Sequence, residues 1–202
     1  MTAAPPVRHG RTIAGASAIL LPFLEDGSVD RAGFVAHLHR TVDAGLVPAV
    51  NMDTGFGPVI GAELRTELLA VARDTGSPFI AGAHVVDRPG DAVDLDGYRA
   101  EMDEIASFGG TPIVFPSFGL SGLDDEALVE AHRRLAGGGE RFLGFELGPM
   151  FHPAGRIFST DVFTEVVGLP QMVGLKHSSL RRDLEWERLE VRDRVRPDFR
   201  LM

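Results

Sequence analysis

The chain alternates short apolar runs with longer segments whose apolar positions recur every three or four residues. The first run, Ala16 to Phe23, is followed by Gly27-Ser28-Val29-Asp30, a helix start, with Phe34, Val35, Leu38 and Val42 along one face and Gly45 at the end. The second, Val47 to Met52, leads through the turn-rich Asp53-Thr54-Gly55-Phe56-Gly57-Pro58 into a helix over 62–73. The unit recurs with Pro78 to Val86 and a helix over 98–108, then with Thr111 to Pro116 and a helix opening at Asp124-Asp125-Glu126, where carboxylates suit the helix dipole. Phe142 to Leu147 with a helix over 161–167, and Met172 to Leu175 with a charged helix over 182–195, complete six units. Residues 198–202 begin like a seventh strand. Strands that are continuously apolar, each followed by an amphipathic helix, predict a parallel sheet covered by helices.

A closed (β/α)8 barrel takes roughly 250 residues and eight strands. An open doubly wound sheet would suit the length, but no Gly-x-Gly-x-x-Gly loop follows any strand. The expected fold class is therefore α/β, a (β/α)8 TIM-barrel type truncated after about six βα units plus a seventh strand stub, forming one incomplete domain over 1–202. An ending inside a strand points to an incomplete coding sequence. Unpaired edges on the first and last strands would call for self-association, so a homo-oligomer is expected.

Composition narrows the function. With 44% hydrophobic and 24% charged residues, the 202-residue chain can bury a core. A net charge of −9 disfavours a phosphate-backbone partner, so no nucleic acid is expected. No cysteine is present, which removes disulfides, thiolate metal sites and a Cys nucleophile. The longest apolar stretch, Ile13 to Leu24, falls short of the ~20 residues of a membrane span and contains Pro22. Arg8 and Arg11 precede it, but Glu25-Asp26-Gly27 follows in place of a small-residue cleavage site. No membrane partner and a cytoplasmic location are expected. Of twenty Lys plus Arg, all are arginine except Lys176. Arginine stays protonated, whereas a desolvated lysine can lose its proton and act as a nucleophile.

In α/β barrels the chemistry lies at the carboxyl ends of the strands. The polar residues there are Asp53 and Thr54, His84, Ser117, Glu146, and Lys176-His177-Ser178-Ser179. Alternation that turns Lys176 inward also turns Met172 and Gly174 inward and sends Val173 and Leu175 outward, sparing the ammonium burial beneath the helices. At the reference pKa of ~10.4 only about 0.04% of such amines are neutral at pH 7, so nucleophilic use requires desolvation. Glu146 and His84 are candidate proton carriers. Glu146 alternates with Phe145, so one of the two points inward, and a lone His at a strand end also suits a structural role. His37 and His39 diverge on their helix and make a poor metal pair. The Arg-rich segment from Arg181 to Arg200 is interleaved with Asp and Glu, as in a solvated, ion-paired helix.

Val173-Gly174-Leu175-Lys176-His177-Ser178-Ser179 resembles the Schiff-base lysine segment of the dihydrodipicolinate synthase and N-acetylneuraminate lyase family, in which an acidic residue commonly stands at the place of His177. Ala18-Ile19-Leu20-Leu21-Pro22-Phe23 and Asp26-Gly27-Ser28-Val29-Asp30 are similar to that family's opening strand and helix start. Asp53-Thr54-Gly55 resembles its carboxylate-binding Gly-Thr-Thr-Gly-Glu loop, with Asp53 in place of the first threonine. Phe145 stands where the family commonly carries a proton-relaying tyrosine, and Gly155-Arg156 resembles a following Gly-Arg pair. The resemblance implies a TIM-barrel lyase or aldolase that condenses Lys176 with a pyruvate-type 2-keto acid or related carbonyl substrate and needs no cofactor. It also implies substrate contacts from Asp53, Thr54, Gly55, Phe145, Arg156 and Ser178. Two alternatives stand beside it. One is a metal-assisted barrel enzyme using Asp53, His84, Glu146 and His177. The other is a truncated, inactive family member.

Overall fold

A computed structural model of the chain describes Gly10 and residues 13–202. Seven strands form one parallel sheet: β1 (Ala16–Ala18), β2 (Val47–Val50), β3 (Ile80–Ala83), β4 (Thr111–Val114), β5 (Phe142–Leu147), β6 (Met172–Ser178) and β7 (Arg200–Leu201). Their order in the sheet is their order in the chain. This is the winding of a barrel, since a doubly wound sheet reverses its order at a switch point. The sheet is a curled half-barrel, with β1 and β7 at its two ends.

The crossover helices are α1 (Arg31–Asp43), α2 (Ala62–Asp74), α3 (Leu95–Ser107), α5 (Asp125–Ala136), α6 (Thr160–Val167) and α7 (Arg182–Val195), with a one-turn helix α4 (Phe118–Ser121) after β4. Their starts are chemically marked. Asp30, Asp94 and Asp124 each accept the amide three residues on at 2.8 Å, satisfying one of the free N–H groups of a first turn. The Asp94 cap opens α3 three residues ahead of the Tyr98 start expected from apolar spacing. The short α4 was not expected. It is held by Ser117, which accepts from the Leu120 amide, and by the Asp87 carboxylate, which accepts from Phe118 and Gly119 at 2.8 and 2.7 Å. β1 is shorter than its apolar run, because Phe23 turns back into an antiparallel bridge with Val29. Among the described residues, no helix is long and apolar enough to cross a membrane.

Two apolar layers flank the sheet. The larger lies between sheet and helices and includes Val50, Ala81, Val114, Phe142 and Leu175 beneath Leu38, Leu68, Ile105, Leu128 and Phe163. The smaller fills the concave side with Ala49, Met52, Ile113, Phe115, Leu143, Phe145, Leu147 and Val173. One expectation about β6 is corrected here. Phe142 pairs with Met172 but Leu143 pairs with Gly174, a bulge that inserts one residue. Met172 therefore joins the helix-side layer and Val173 the concave one, opposite to regular alternation. Only glycine suits position 174, where a Cβ would lie 2.7 Å from the Arg200 carbonyl. Beyond the bulge the alternation is regular, with Leu175 outward and Lys176 opposite Phe145 inward.

On the helix side, wholly buried Glu146 meets Arg188 of α7. Arg188 donates from Nε to Oε2 at 3.0 Å and from Nη2 to Oε1 at 2.7 Å, and it also reaches the Phe158 carbonyl at 2.7 Å and Glu187 at 2.8 Å. The Phe158 amide donates to Glu146 Oε1 at 2.8 Å, and the guanidinium lies 4.6 Å from the Phe163 ring centre. Removing one member of such a pair strands a buried charge. Arg188→Met should lower unfolding free energy by about 3–5 kcal/mol, and adding Glu146→Leu should recover most of the loss. Denaturant melts of the three proteins check this. A single-variant loss below about 1 kcal/mol, the range of a surface pair, would contradict it.

Candidate active site at the carboxyl end of the sheet

β5 and β6 place the central pair. Phe145 and Lys176 are register partners on the concave side, and Lys176 Nζ lies 4.1 Å from the Phe145 ring centre. Phe145 is buried and Lys176 half-buried. Burial disfavours the ammonium and lowers the Lys176 pKa below its ordinary value, while the Asp53 carboxylate opposes the shift. The aromatic surface continues along the sheet. Phe115, beyond β4, meets Phe145 edge-on at 5.0 Å, and the His84 ring, beyond β3, lies 4.1 Å from Phe115.

Asn51 turns the chain out of β2 with a left-handed φ of 52°, a conformation asparagine tolerates. Its carbonyl lies 2.7 Å from His84 Nε2. A carbonyl only accepts, so Nε2 carries the proton and Nδ1 the lone pair. His84 is 8% exposed, and burial lowers its pKa to about 4, so the imidazole is neutral at physiological pH.

Asp53, Thr54 and Gly55 form a 3₁₀ turn that follows β2. Asp53 and Thr54 are exposed, and the charge of Asp53 acts on both Lys176 and His84. Gly55 is buried where a Cβ would lie 2.7 Å from the Ile19 carbonyl. The turn's own carbonyls consume its amides: Gly55 and Gly57 donate to Met52, and Phe56 donates to Asp53. Ser178 is half-buried, two residues beyond Lys176 on the same side of β6 and opposite Leu147.

Three expectations are corrected. Glu146 is not on the concave side: Phe145 takes the interior, and the carboxylate faces α7, where Arg188 and His177 hold it. Burial opposes its ionisation, but the hydrogen bonds from His177 and Arg188 outweigh burial and hold its pKa below the ordinary carboxylate value. Arg156 does not present a free fork, because it donates to the Ser121 and Leu123 carbonyls and pairs with Asp125. The four proposed metal ligands do not converge, since Glu146 and His177 lie on the helix side, while His84 packs against the Asn51 carbonyl and the Phe115 ring and the charge of Asp53 acts on Lys176. Among the described residues, no three His, Asp or Glu side chains gather around a common point.

Sequence reasoning missed the chain from Ser179 through His177 to Glu146. His177 Nδ1 lies 2.8 Å from Glu146 Oε2, and its Nε2 lies 2.7 Å from Ser179 Oγ, which accepts from the Arg181 amide. The connectivity is that of a hydrolytic triad. Ser179, however, is only 4% exposed and Glu146 is already engaged by Arg188, so the chain serves to lock the loop after β6. The only tyrosine, Tyr98, is also remote from the amine chemistry. It is buried on α3, and its hydroxyl donates to the Phe115 carbonyl at 2.6 Å.

Against known proteins, the architecture is specific. No protein-family profile matches the chain, and no curated protein matches it. Among solved structures, a monomeric dihydrodipicolinate synthase variant aligns with a TM-score of 0.78 at 14% identity, over 94% of this chain and 62% of its own. A dihydrodipicolinate synthetase homologue from Pseudomonas aeruginosa aligns at 0.75 and 17%, over 94% and 63%. An N-acetylneuraminate lyase from Fusobacterium nucleatum, solved with pyruvate, aligns at 0.69 and 17%, over 93% and 60%. The chain thus has the fold of the lyases and aldolases of the dihydrodipicolinate synthase and N-acetylneuraminate lyase group, and spans about three fifths of their length.

The neutral His84 links this site to stability. Its folded pKa lies below its unfolded value of 6.5, so the unfolded chain binds the proton first as pH falls. The associated stability is complete above pH 6.5 and is lost toward about pH 4, a total of roughly 3 kcal/mol. His84→Asn should flatten the stability profile in this window relative to the parent. Parallel profiles of the two proteins between pH 6.5 and 4 would contradict the assignment.

Proposed function

We propose that this chain is a class I lyase or aldolase of the dihydrodipicolinate synthase and N-acetylneuraminate lyase family, with Lys176 forming the Schiff base. The observation that carries the reading is the position of the only lysine: the concave side of β6, half-buried against the Phe145 ring. The fold supports the family, and the lowered pKa supports an amine that can shed its proton.

In this reading the neutral amine attacks the substrate carbonyl carbon and a C–N bond forms. The carbonyl oxygen takes up protons and leaves as water, producing a protonated imine. That imine withdraws the electron pair from a neighbouring C–C or C–H bond, so a carbon–carbon bond breaks, or a β-hydroxyl leaves once the α-proton has gone. Phe145 has no exchangeable proton, and its ring face 4.1 Å from the amine attracts a cation, so the lowered pKa comes from burial of the amine and not from the ring. Asp53, whose charge acts on the amine, is the carboxylate assigned proton movement in this reading, and His84, two rings away through Phe115 and Phe145, offers a neutral Nδ1 lone pair. Glu146 is assigned no proton transfer, because it faces the helices. Self-association that covers β1 and β7 belongs to the same proposal.

Borohydride reduction of the chain with a panel of 2-keto acids and neutral ketones should leave one covalent addition on Lys176. The site is readily assigned, since only the N-terminal amine competes. Lys176→Met, which replaces an ammonium by an apolar side chain, should stay folded and lose the adduct. No adduct on Lys176 across the whole panel would overturn the proposal.

A further inference from the structure

Resting on the Schiff-base reading of Lys176, we infer that His84 is a positioning residue of the site: its Nε2–H holds the Asn51 carbonyl and thereby fixes the turn from which Asp53 acts on the amine. The imidazole stands two rings from the amine, by way of Phe115 and Phe145, so it acts there through the groups it holds.

The turn after β2 is closed by its own hydrogen bonds. Gly55 and Gly57 donate to the Met52 carbonyl, and Phe56 donates to that of Asp53. A unit bonded to itself in this way takes its orientation from the point where it leaves the sheet, which is Asn51. Asn51 is 3% exposed and holds a left-handed φ of 52°, a conformation that persists where the surroundings over-determine it. Two bonds do so here. Its side-chain amide donates to the Arg65 carbonyl at 3.2 Å, and its own carbonyl accepts from His84 Nε2 at 2.7 Å. Loss of the second would leave a buried carbonyl short of a donor at the root of the turn.

The space around that bond is cleared for it. A Cβ on Gly57, or on Gly82, would collide with both the Asn51 carbonyl oxygen and His84 Nε2, so glycine at these two positions lets the imidazole meet the carbonyl. Gly57 belongs to the turn and Gly82 to β3, so the contact ties the turn to the neighbouring strand. Phe115 fixes the plane of the imidazole, packing 4.1 Å away at 40°. Because burial keeps that ring uncharged at physiological pH and above, it bears on Lys176 by position and not by charge. Asp53 is the group whose charge reaches Lys176, and the strength of that interaction depends on distance.

The test is a double-mutant cycle read at the amine. With lysine labelled at ¹³Cε, the Lys176 titration midpoint is measured for the full chain and for His84→Gln, His84→Leu and His84→Phe, each with and without Asp53→Asn. In the parent, Asp53→Asn should lower the midpoint by removing the carboxylate charge. In His84→Leu and His84→Phe, which lack the donor, that shift should shrink to about half or less, because the carboxylate loses its fixed place. His84→Gln carries an N–H the same number of bonds from Cβ and should keep most of the shift. Phenylalanine keeps a ring against Phe115, so its agreement with leucine assigns the effect to the N–H and not to packing. An equal shift in all four backgrounds would overturn the inference, as would a shift in His84→Gln as small as in His84→Leu. Should neither donorless variant fold, ¹⁵N-histidine spectra of the parent decide: a proton on His84 Nε2 with a bare Nδ1 supports the inference, and the reverse tautomer overturns it. The midpoints need no substrate, so failure of the parent to form a borohydride adduct on Lys176 would count against the Schiff-base reading alone.

Discussion

The pairing of β5 with β6 is the constraint on which the rest depends. The register that sets Phe145 against Lys176 also sets Glu146 against His177, on the opposite side of the sheet. One side receives an amine over an aromatic ring, and the other a buried carboxylate that Arg188 and His177 neutralise. Because strand side chains alternate with period two, a slip of one residue would exchange the two sides. It would push an ammonium under α7 toward Arg188 and strand Glu146 on the apolar concave surface, and both are costly. The ion-pair network is thus more than a stability element, because it penalises the one-residue slips that would turn the lysine to the helix side. The bulge at Val173 acts in the same sense: it takes up the extra residue before the functional part of β6 begins.

At the carboxyl end of the sheet, aromatic rings lie along the concave side from His84 through Phe115 and Phe145 to Lys176. Burial lowers the Lys176 pKa, while the Phe145 ring face and the Asp53 charge both favour its ammonium form. Several arginines are turned to structural work. Arg156 joins α4 to α5, Arg188 neutralises Glu146, and Arg196 donates to the Leu169 and Met172 carbonyls where α6 runs into β6.

Much of this organisation was legible in the sequence, because it rests on local periodicity. Continuous apolar strands, capped helices and a solitary lysine at a strand end led to the barrel winding and to the inward-facing amine. Alternation also stated that only one of Phe145 and Glu146 could face inward, yet it could not say that Glu146 had a partner in Arg188, forty-two residues away. That pairing arises only when α7 packs on the sheet. The commitments of Arg156 to loop carbonyls and of Asp87 to the α4 amides were hidden for the same reason, since each joins segments distant in the chain. The bulge escaped because a regular two-residue period does not reveal an inserted residue, although Gly174, placed where a side chain would strike the Arg200 carbonyl, marks the spot.

A single lysine makes the central claim directly measurable. With lysine labelled at ¹³Cε, the protein should display one resonance, and its shift can be followed against pH without perturbing the site. A desolvated Lys176 should give a titration midpoint clearly below the ~10.4 of a solvated lysine, moving further down in Asp53→Asn as the opposing carboxylate charge is removed. A midpoint at or above ~10.4 would instead show a fully hydrated ammonium at Lys176, unsuited to nucleophilic attack.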